Sequence, residues 1–227
     1  WICQARDMSD RISISINHGI ADVKLTRADK RNALDPAMFT AIAEAGERLK
    51  TDPGVRVVVL SGDGPSFCAG LDMASMQAIG NSGGGDGQAG NAGSMEPGRI
   101  THLGQQVCWV WQEVPVPVIA AVHGHALGGG LQVALGADIR IVHPETKLSV
   151  REVYWGLVPD MTGTFMLSKL VRPDIARELT YTARIFSGTE GAELGLVTAL
   201  SETPYADAMA MAADIASKSP GAVRGAK

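Results

Sequence analysis

From Ile12 to Ile16, apolar positions alternate with Ser13 and Ser15. A period of two predicts a half-buried strand. Asn17-His18-Gly19 reads as a turn and Ile20 to Leu25 as the second strand of a hairpin. Asp35 before Pro36 pairs an N-cap type with proline at the first helical position. Phe39, Ile42, Ala45 and Leu49 then recur on one face, which predicts a helix to about Lys50, broken by Pro53-Gly54. Val57 to Leu60 and Val118 to Val122 are unbroken apolar runs, the second preceded by Pro115 and Pro117, and both predict buried strands. Between them, a helix is expected from near Ile100 to Glu113.

A short helix, apolar nearly all round, follows Gly128-Gly129-Gly130. Strands are expected at Ile139 to Val142 and Lys147 to Val150. Helices are expected from Thr162 to Leu170 and Pro173 to Ala183. A short one is capped by Thr189 and ends at Gly195, and a last one runs from Thr203-Pro204 to about Ser217. Strands thus dominate the first two-thirds and helices the last third, an α/β chain without a fixed repeat. Residues 80–98 are rich in glycine and poor in apolar side chains, and read as a mobile insert within the domain.

Composition narrows this picture. With 227 residues, 45% apolar and 19% charged, the chain can build one large domain or two small ones. Its net charge of −4 offers no basic footprint for nucleic acid or an acidic membrane surface. No apolar run approaches the ~18 residues of a membrane span. No signal peptide is recognisable. Cys3, Cys68 and Cys108 lack metal spacing and cannot all pair, so a reducing cytoplasm is expected. Trp1 in place of Met suggests a chain that starts inside a longer one.

Two glycine turns carry the candidate chemistry. Ala69-Gly70-Leu71-Asp72 follows one buried strand, and Gly124 with Gly128-Gly129-Gly130 follows another. A strand feeding a glycine turn into a helix gathers backbone N–H groups that can hold an anion or a developing negative charge. Neither turn fits the dinucleotide or P-loop spacing. His123 and His125 lack a third ligand at metal spacing, so turn or core roles are expected. Cys68 reads as a small buried residue, and Trp109, Trp111 and Trp155 as packing aromatics.

Four stretches, LTRADKRNALD (25–35), SFCAGLDM (66–73), VIAAVHGHALGGGLQVALGADIRI (118–141) and LSVREVYWGLVPDMTGT (148–164), resemble in order and spacing the motifs of the crotonase, or enoyl-CoA hydratase/isomerase, family. The resemblance covers roughly residues 12 to 200. It implies a crotonase-like spiral of ββα turns over residues 1–200. Residues 201–227 would begin a C-terminal helical trimerisation region that normally runs one or two helices further, so the chain reads as truncated. It also implies an acyl-CoA substrate, a homotrimer or hexamer, and no resident cofactor, coenzyme A being part of the substrate.

Carried over by motif, the thioester oxygen would sit between the N–H groups of Leu71 and Gly129. Donors aimed at a developing enolate are typically worth ~2.7–4 kcal/mol each. Substrate or coenzyme A contacts would fall at Lys30, Arg31, Ala33, Ala69, Gly70, Asp72, Met73, Gly128 and Gln132. Lys30 and Arg31 suit phosphates.

The family's hydratases usually carry two glutamates. One is matched by Glu152, while the other position holds Gln132, which cannot take a proton at neutral pH. Asp160, eight residues after Glu152, matches an acid of the dienoyl-CoA isomerising members. It is a candidate second acid/base or a group steering Glu152, with a helix N-cap as the plain structural role. Double-bond isomerisation and hydration of enoyl-CoA both remain open, isomerisation slightly ahead. An inactive acyl-CoA-binding scaffold is the alternative from Gln132, and a dinucleotide-dependent dehydrogenase is opposed by the missing fingerprint.

Overall fold

The computed structural model describes residues 7–8, 10–72, 95 and 98–227. A strand β1 (Asp7–Met8) and the hairpin β2 (Ile12–Asn17) and β3 (Ile20–Leu25) come first. Both turn residues, His18 and Gly19, have positive φ, the mirror-image turn whose twist matches its strands. α1 (Pro36–Thr51) is capped as its sequence predicts: the Asp35 carboxylate accepts the Met38 N–H at 2.8 Å. Then come β4 (Val57–Gly62), α2 (Leu103–Glu113), β5 (Val118–Val122), β6 (His125–Leu127), α3 (Gly129–Leu135), β7 (Ile139–Val142) and β8 (Lys147–Ser149). α4 (Gly163–Leu170), α5 (Pro173–Thr182), α6 (Gly188–Glu193), β9 (Ala199–Leu200), α7 (Pro204–Ala216) and α8 (Pro220–Ala226) complete the chain.

The main sheet runs β1-β2-β3-β4-β5-β7-β9, antiparallel through β3 and parallel from β3 onward. It is buried on both faces. Val58 and Leu60 of β4 enter the large core with α1, α2 and α3. Val57 and Val59 meet α7 through Ala208, Ala212 and Ala216, whose small side chains let that helix lie close. Burial on both faces is why the central strands read as continuous apolar runs rather than alternating ones.

A second, smaller layer carries the site. β6 pairs in parallel with β8. The Cys68 N–H donates to the His125 carbonyl at 2.9 Å, and the Leu34 N–H to the Gly70 carbonyl at 2.8 Å. Residues 34, 68–72, β6 and β8 therefore lie side by side as short extended segments.

Two helix starts differ from the sequence pattern. α2 starts at Leu103, not near Ile100. The cap of α6 is Ser187, whose hydroxyl accepts the Glu190 N–H at 3.1 Å, not Thr189. Thr162 holds the N-cap position of α4, but with φ 71° and no side-chain cap bond, so Asp160 is not that helix's N-cap. β6, β9 and α8 are too short, or too poor in apolar residues, to show a period. The expected insert at 80–98 lies almost wholly outside the described residues. No helix among the described residues is long and apolar enough to cross a membrane.

Candidate active site

The two glycine turns meet. Gly70 has φ +94°, and a Cβ there would lie 2.5 Å from the Leu127 carbonyl oxygen and 3.8 Å from the Gly129 amide nitrogen. Gly128 takes φ 51° and ψ −123°, a conformation barred to side chains. A Cβ at Gly130 would collide with the Cys68 carbonyl, so glycine there lets α3 close on the 68–72 segment. The consequence is chemical. Among the described residues neither the Leu71 N–H nor the Gly129 N–H donates to an acceptor, while the Asp72 and Gly128 amides beside them are paired. α3 has seven residues, and its contribution here is the unpaired amide at its start.

Beside this pair sits a buried acid. Glu152 opens a 3-10 turn (Glu152–Trp155) directly after β8 and is 8% exposed. Its Oε1 accepts the Gln132 side-chain N–H at 2.6 Å, and a Cβ at Gly128 would stand 3.2 Å from the same oxygen. Its Oε2 is buried with no hydrogen-bond partner among the described residues. Burial pushes the Glu152 carboxyl above the ordinary glutamate range. Its own backbone N–H and then the Gln132 bond work against this, and the charge of Asp160 adds to it.

Gln132, itself 2% exposed, is held at its other end too: its Oε1 accepts the Gly163 N–H at 2.7 Å. That backbone donor settles which end of the amide is oxygen. It also supplies the bond to the start of α4 that Thr162 does not make. The segment that carries Asp160 meets the turn at one further point, Met161. Met161 and Leu34 flank Gly129, a Cβ there falling 3.1 Å from the Met161 Sδ and 2.9 Å from the Leu34 Cδ1. Asp160 is exposed at the rim. Behind the acid lies Cys108 of α2. Burial first, then the charges of Glu152 and Asp160, push its thiol well above its ordinary value, so it stays neutral.

The remaining sequence candidates fall in the 28–34 and 69–72 segments. The Ala69 N–H donates to the Arg31 carbonyl at 2.9 Å and the Asp72 N–H to the Leu34 carbonyl at 3.0 Å, which joins the two segments. Lys30 and Arg31 are exposed, and Ala33 is buried with its carbonyl bound by Arg27 at 3.0 Å. The Asp72 carboxylate pairs with Arg27 at 2.7 Å. Met73 lies outside the described residues.

Sequence reasoning missed Asn32. Its carbonyl side chain accepts the Arg27 N–H at 2.9 Å, and its amide donates to the carbonyls of Asp63 and Ser66 at 3.0 and 2.8 Å. The residue type was the one signal in the sequence, since asparagine tolerates the left-handed region it adopts here at φ 56°, next to φ 50° at Arg31. Cys68, expected to be a small buried residue, donates its Sγ–H to the Asn32 carbonyl at 3.0 Å, and burial pushes its pKa up to about 12. His125 bonds Ser66 at 2.9 Å through Nδ1, and His123 donates to the Gly64 carbonyl at 2.9 Å. Among the described residues no cluster of three His, Cys, Asp or Glu could hold a metal ion.

The sequence model of the enoyl-CoA hydratase/isomerase family matches residues 15–227. The chain belongs to this family. It is 34% identical over 212 residues to the mitochondrial Delta(3,5)-Delta(2,4)-dienoyl-CoA isomerase of Mus musculus, covering 92% of this chain and 64% of that one. It is 34% identical over 189 residues to the crotonyl-CoA hydratase of Syntrophomonas wolfei, covering 83% of this chain and 68% of that protein. The fold matches a crystal structure of a Thermobifida fusca YX chain in complex with CoA. That match has TM-score 0.79 and 31% identity, covering 94% of this chain and 81% of the other. The ordered motifs of the sequence and the mixed α/β architecture with its parallel strands agree with this family membership.

Proposed function

We infer that the chain forms the core of an acyl-CoA enzyme that moves a proton on an enoyl-CoA thioester, shifting a double bond. One observation carries this reading: a buried carboxylate with one bare oxygen, Glu152 Oε2, next to two unpaired amides, Leu71 and Gly129. The thioester oxygen sits between those amides. Glu152 takes a proton from the carbon the thioester acidifies, the electron pair moves into an enolate held by the two N–H groups, and the proton returns further along the chain. Asp160, at the rim, raises the basicity of Glu152 and serves as a second acid when the substrate is a diene.

Lys30 and Arg31 reach the phosphates of coenzyme A. Ala33, Ala69, Gly70, Asp72 and Gly128 form the walls along which the thiol arm lies. Coenzyme A arrives as part of the substrate and no resident cofactor is required. The names of the isomerase and hydratase relatives and the CoA complex of a structural relative support this reading. Hydration is the second reading, supported by the crotonyl-CoA hydratase relative. It stands behind isomerisation because Gln132 cannot take a proton from water. A presence of Glu152 in this setting favours an active enzyme over a scaffold.

The test is turnover of a panel of 2-enoyl-, 3-enoyl- and dienoyl-CoA esters by wild type and Glu152→Gln. Binding of these esters without any turnover by wild type overturns the reading. Equal turnover by both proteins overturns the role of Glu152. Assembly as a trimer or paired trimers belongs to the same reading and is tested by light scattering in solution.

A further inference from the structure

Gln132 stands where an acid or base could act, yet both ends of its amide are occupied by protein. Its oxygen accepts from Gly163 N–H at 2.7 Å and its nitrogen donates to Glu152 Oε1 at 2.6 Å. The bridge is buried, and it leaves Glu152 with two unlike oxygens, one pinned as an acceptor and one bare. We propose that Gln132 is a positioning residue that fixes Glu152 by Oε1 and so assigns the transferable proton to Oε2. This rests on the reading of Glu152 as acid/base, and deepens it by naming the oxygen that works and the residue that selects it.

The physical argument has three parts. An Oε1 that carries the proton is a poorer acceptor for the short Gln132 N–H bond, so that bond favours the proton on the other oxygen. Protonation therefore falls on Oε2, and the carboxyl keeps one orientation through the cycle. A bond from a neutral donor also favours the ionised form, so it offsets part of the burial that disfavours it. Finally, the anchor of Gln132 is the first N–H of α4, so the orientation of Glu152 is tied to the helix whose preceding residues carry Asp160 and Met161. The other titratable groups that bear on Glu152 are Asp160, on the same segment as the anchor, and the neutral Cys108 thiol on α2.

Two variants separate positioning from capping. Gln132→Glu keeps an acceptor for Gly163 N–H but turns the donor facing Glu152 into a second carboxylate. Gln132→Leu removes both bonds. The readouts are the titration midpoint of Glu152, followed by carbon-13 NMR of glutamate-labelled protein and assigned by difference with Glu152→Gln, and the pH profile of turnover.

The expected result is a Glu152 midpoint raised by about one pH unit or more in both variants. The acid limb of kcat moves with it, and kcat at neutral pH falls about 10- to 100-fold while KM stays within about threefold. A role confined to capping α4 predicts an unmoved Glu152 midpoint in Gln132→Leu, which adds no charge beside Glu152, and that result overturns the proposal. If no enoyl-CoA ester is turned over by wild type, the functional reading fails by itself. The NMR midpoint then decides the link between Gln132 and Glu152, and an unmoved midpoint overturns it.

Discussion

The Arg27 guanidinium holds the Asp72 carboxylate at 2.7 Å, and each side chain is about 15% exposed. The same Arg27 nitrogen donates to the Ala33 carbonyl at 3.0 Å, and Arg27 also stands 3.5 Å from Asp35 at the start of α1. One guanidinium thus ties the 28–34 segment, the helix behind it and the turn that presents Leu71. Its place is structural, while its effect is on where one unpaired amide points.

Asp72→Asn removes the charge that Arg27 is built around. The expected cost is about 1–3 kcal/mol of stability, the range for breaking a charge-assisted bond away from bulk water. Urea unfolding measures it, and a change within error shows that the pair does not hold the turn.

Glu152→Gln is expected to lower turnover about 100-fold or more, the usual range for losing a general acid/base. The fold should be retained, because glutamine can still accept from Gln132 and carries no buried charge. Circular dichroism and the substrate panel together check both halves.

The pH dependence of stability and of activity should run in opposite directions. The folded-state pKa of Glu152 is raised, so the native state binds this proton more tightly than the unfolded chain. The contribution to stability is present below the ordinary glutamate pKa and is lost as pH rises through the raised folded value. Activity needs the ionised form and rises through that same value. Thermal melts of wild type and Glu152→Gln across this window measure the difference, which should disappear in the variant. A wild-type curve parallel to the variant's shows that Glu152 is not perturbed.

Asp160→Asn removes a charge that raises the Glu152 pKa, so the acid limb of kcat/KM should move to lower pH. If Asp160 also delivers the second proton, dienoyl-CoA isomerisation should fall about 100-fold while mono-enoyl turnover persists. Equal losses on both substrates would remove Asp160 from the second step and leave only its electrostatic role.

Gly128→Ala places a side chain at φ 51° and ψ −123°. The strain of such a conformation is on the order of 1–3 kcal/mol. The new methyl would also press on Glu152 Oε1, 3.2 Å away in the native geometry. Both stability and turnover should drop, with denaturant melts and the same substrate panel as measurements.

Much of this was legible in the chain. Asp35-Pro36 announces α1 because a cap and a helix-compatible ring act within four residues. Val57–Leu60 and Val118–Val122 announce central strands because both faces of the sheet are covered, leaving no polar positions to break the run. The β6 segment was not legible, since three residues between two glycines carry no period, and its partners Cys68 and Lys147 lie far away in sequence. The N-cap position of α4 was legible, but its capping bond was not, for a related reason. Thr162 is the right residue type in the right place, but its left-handed backbone aims no oxygen at the helix, and the bond comes from Gln132, 31 residues earlier.

By itself the sequence determined the order of the longer strands and helices, the two glycine turns and the presence of Glu152, Asp160 and Gln132 on neighbouring motifs. These are local properties, set by propensity, period and spacing. Only the tertiary structure decided that, among the described residues, the Leu71 and Gly129 amides find no acceptor and Glu152 keeps one oxygen bare, and that Gln132 faces inward to hold the other. Those outcomes depend on which backbone groups and side chains come within 3 Å of one another. No pattern along the chain contains that distance, because it is fixed by the packing of segments that meet only in the folded core.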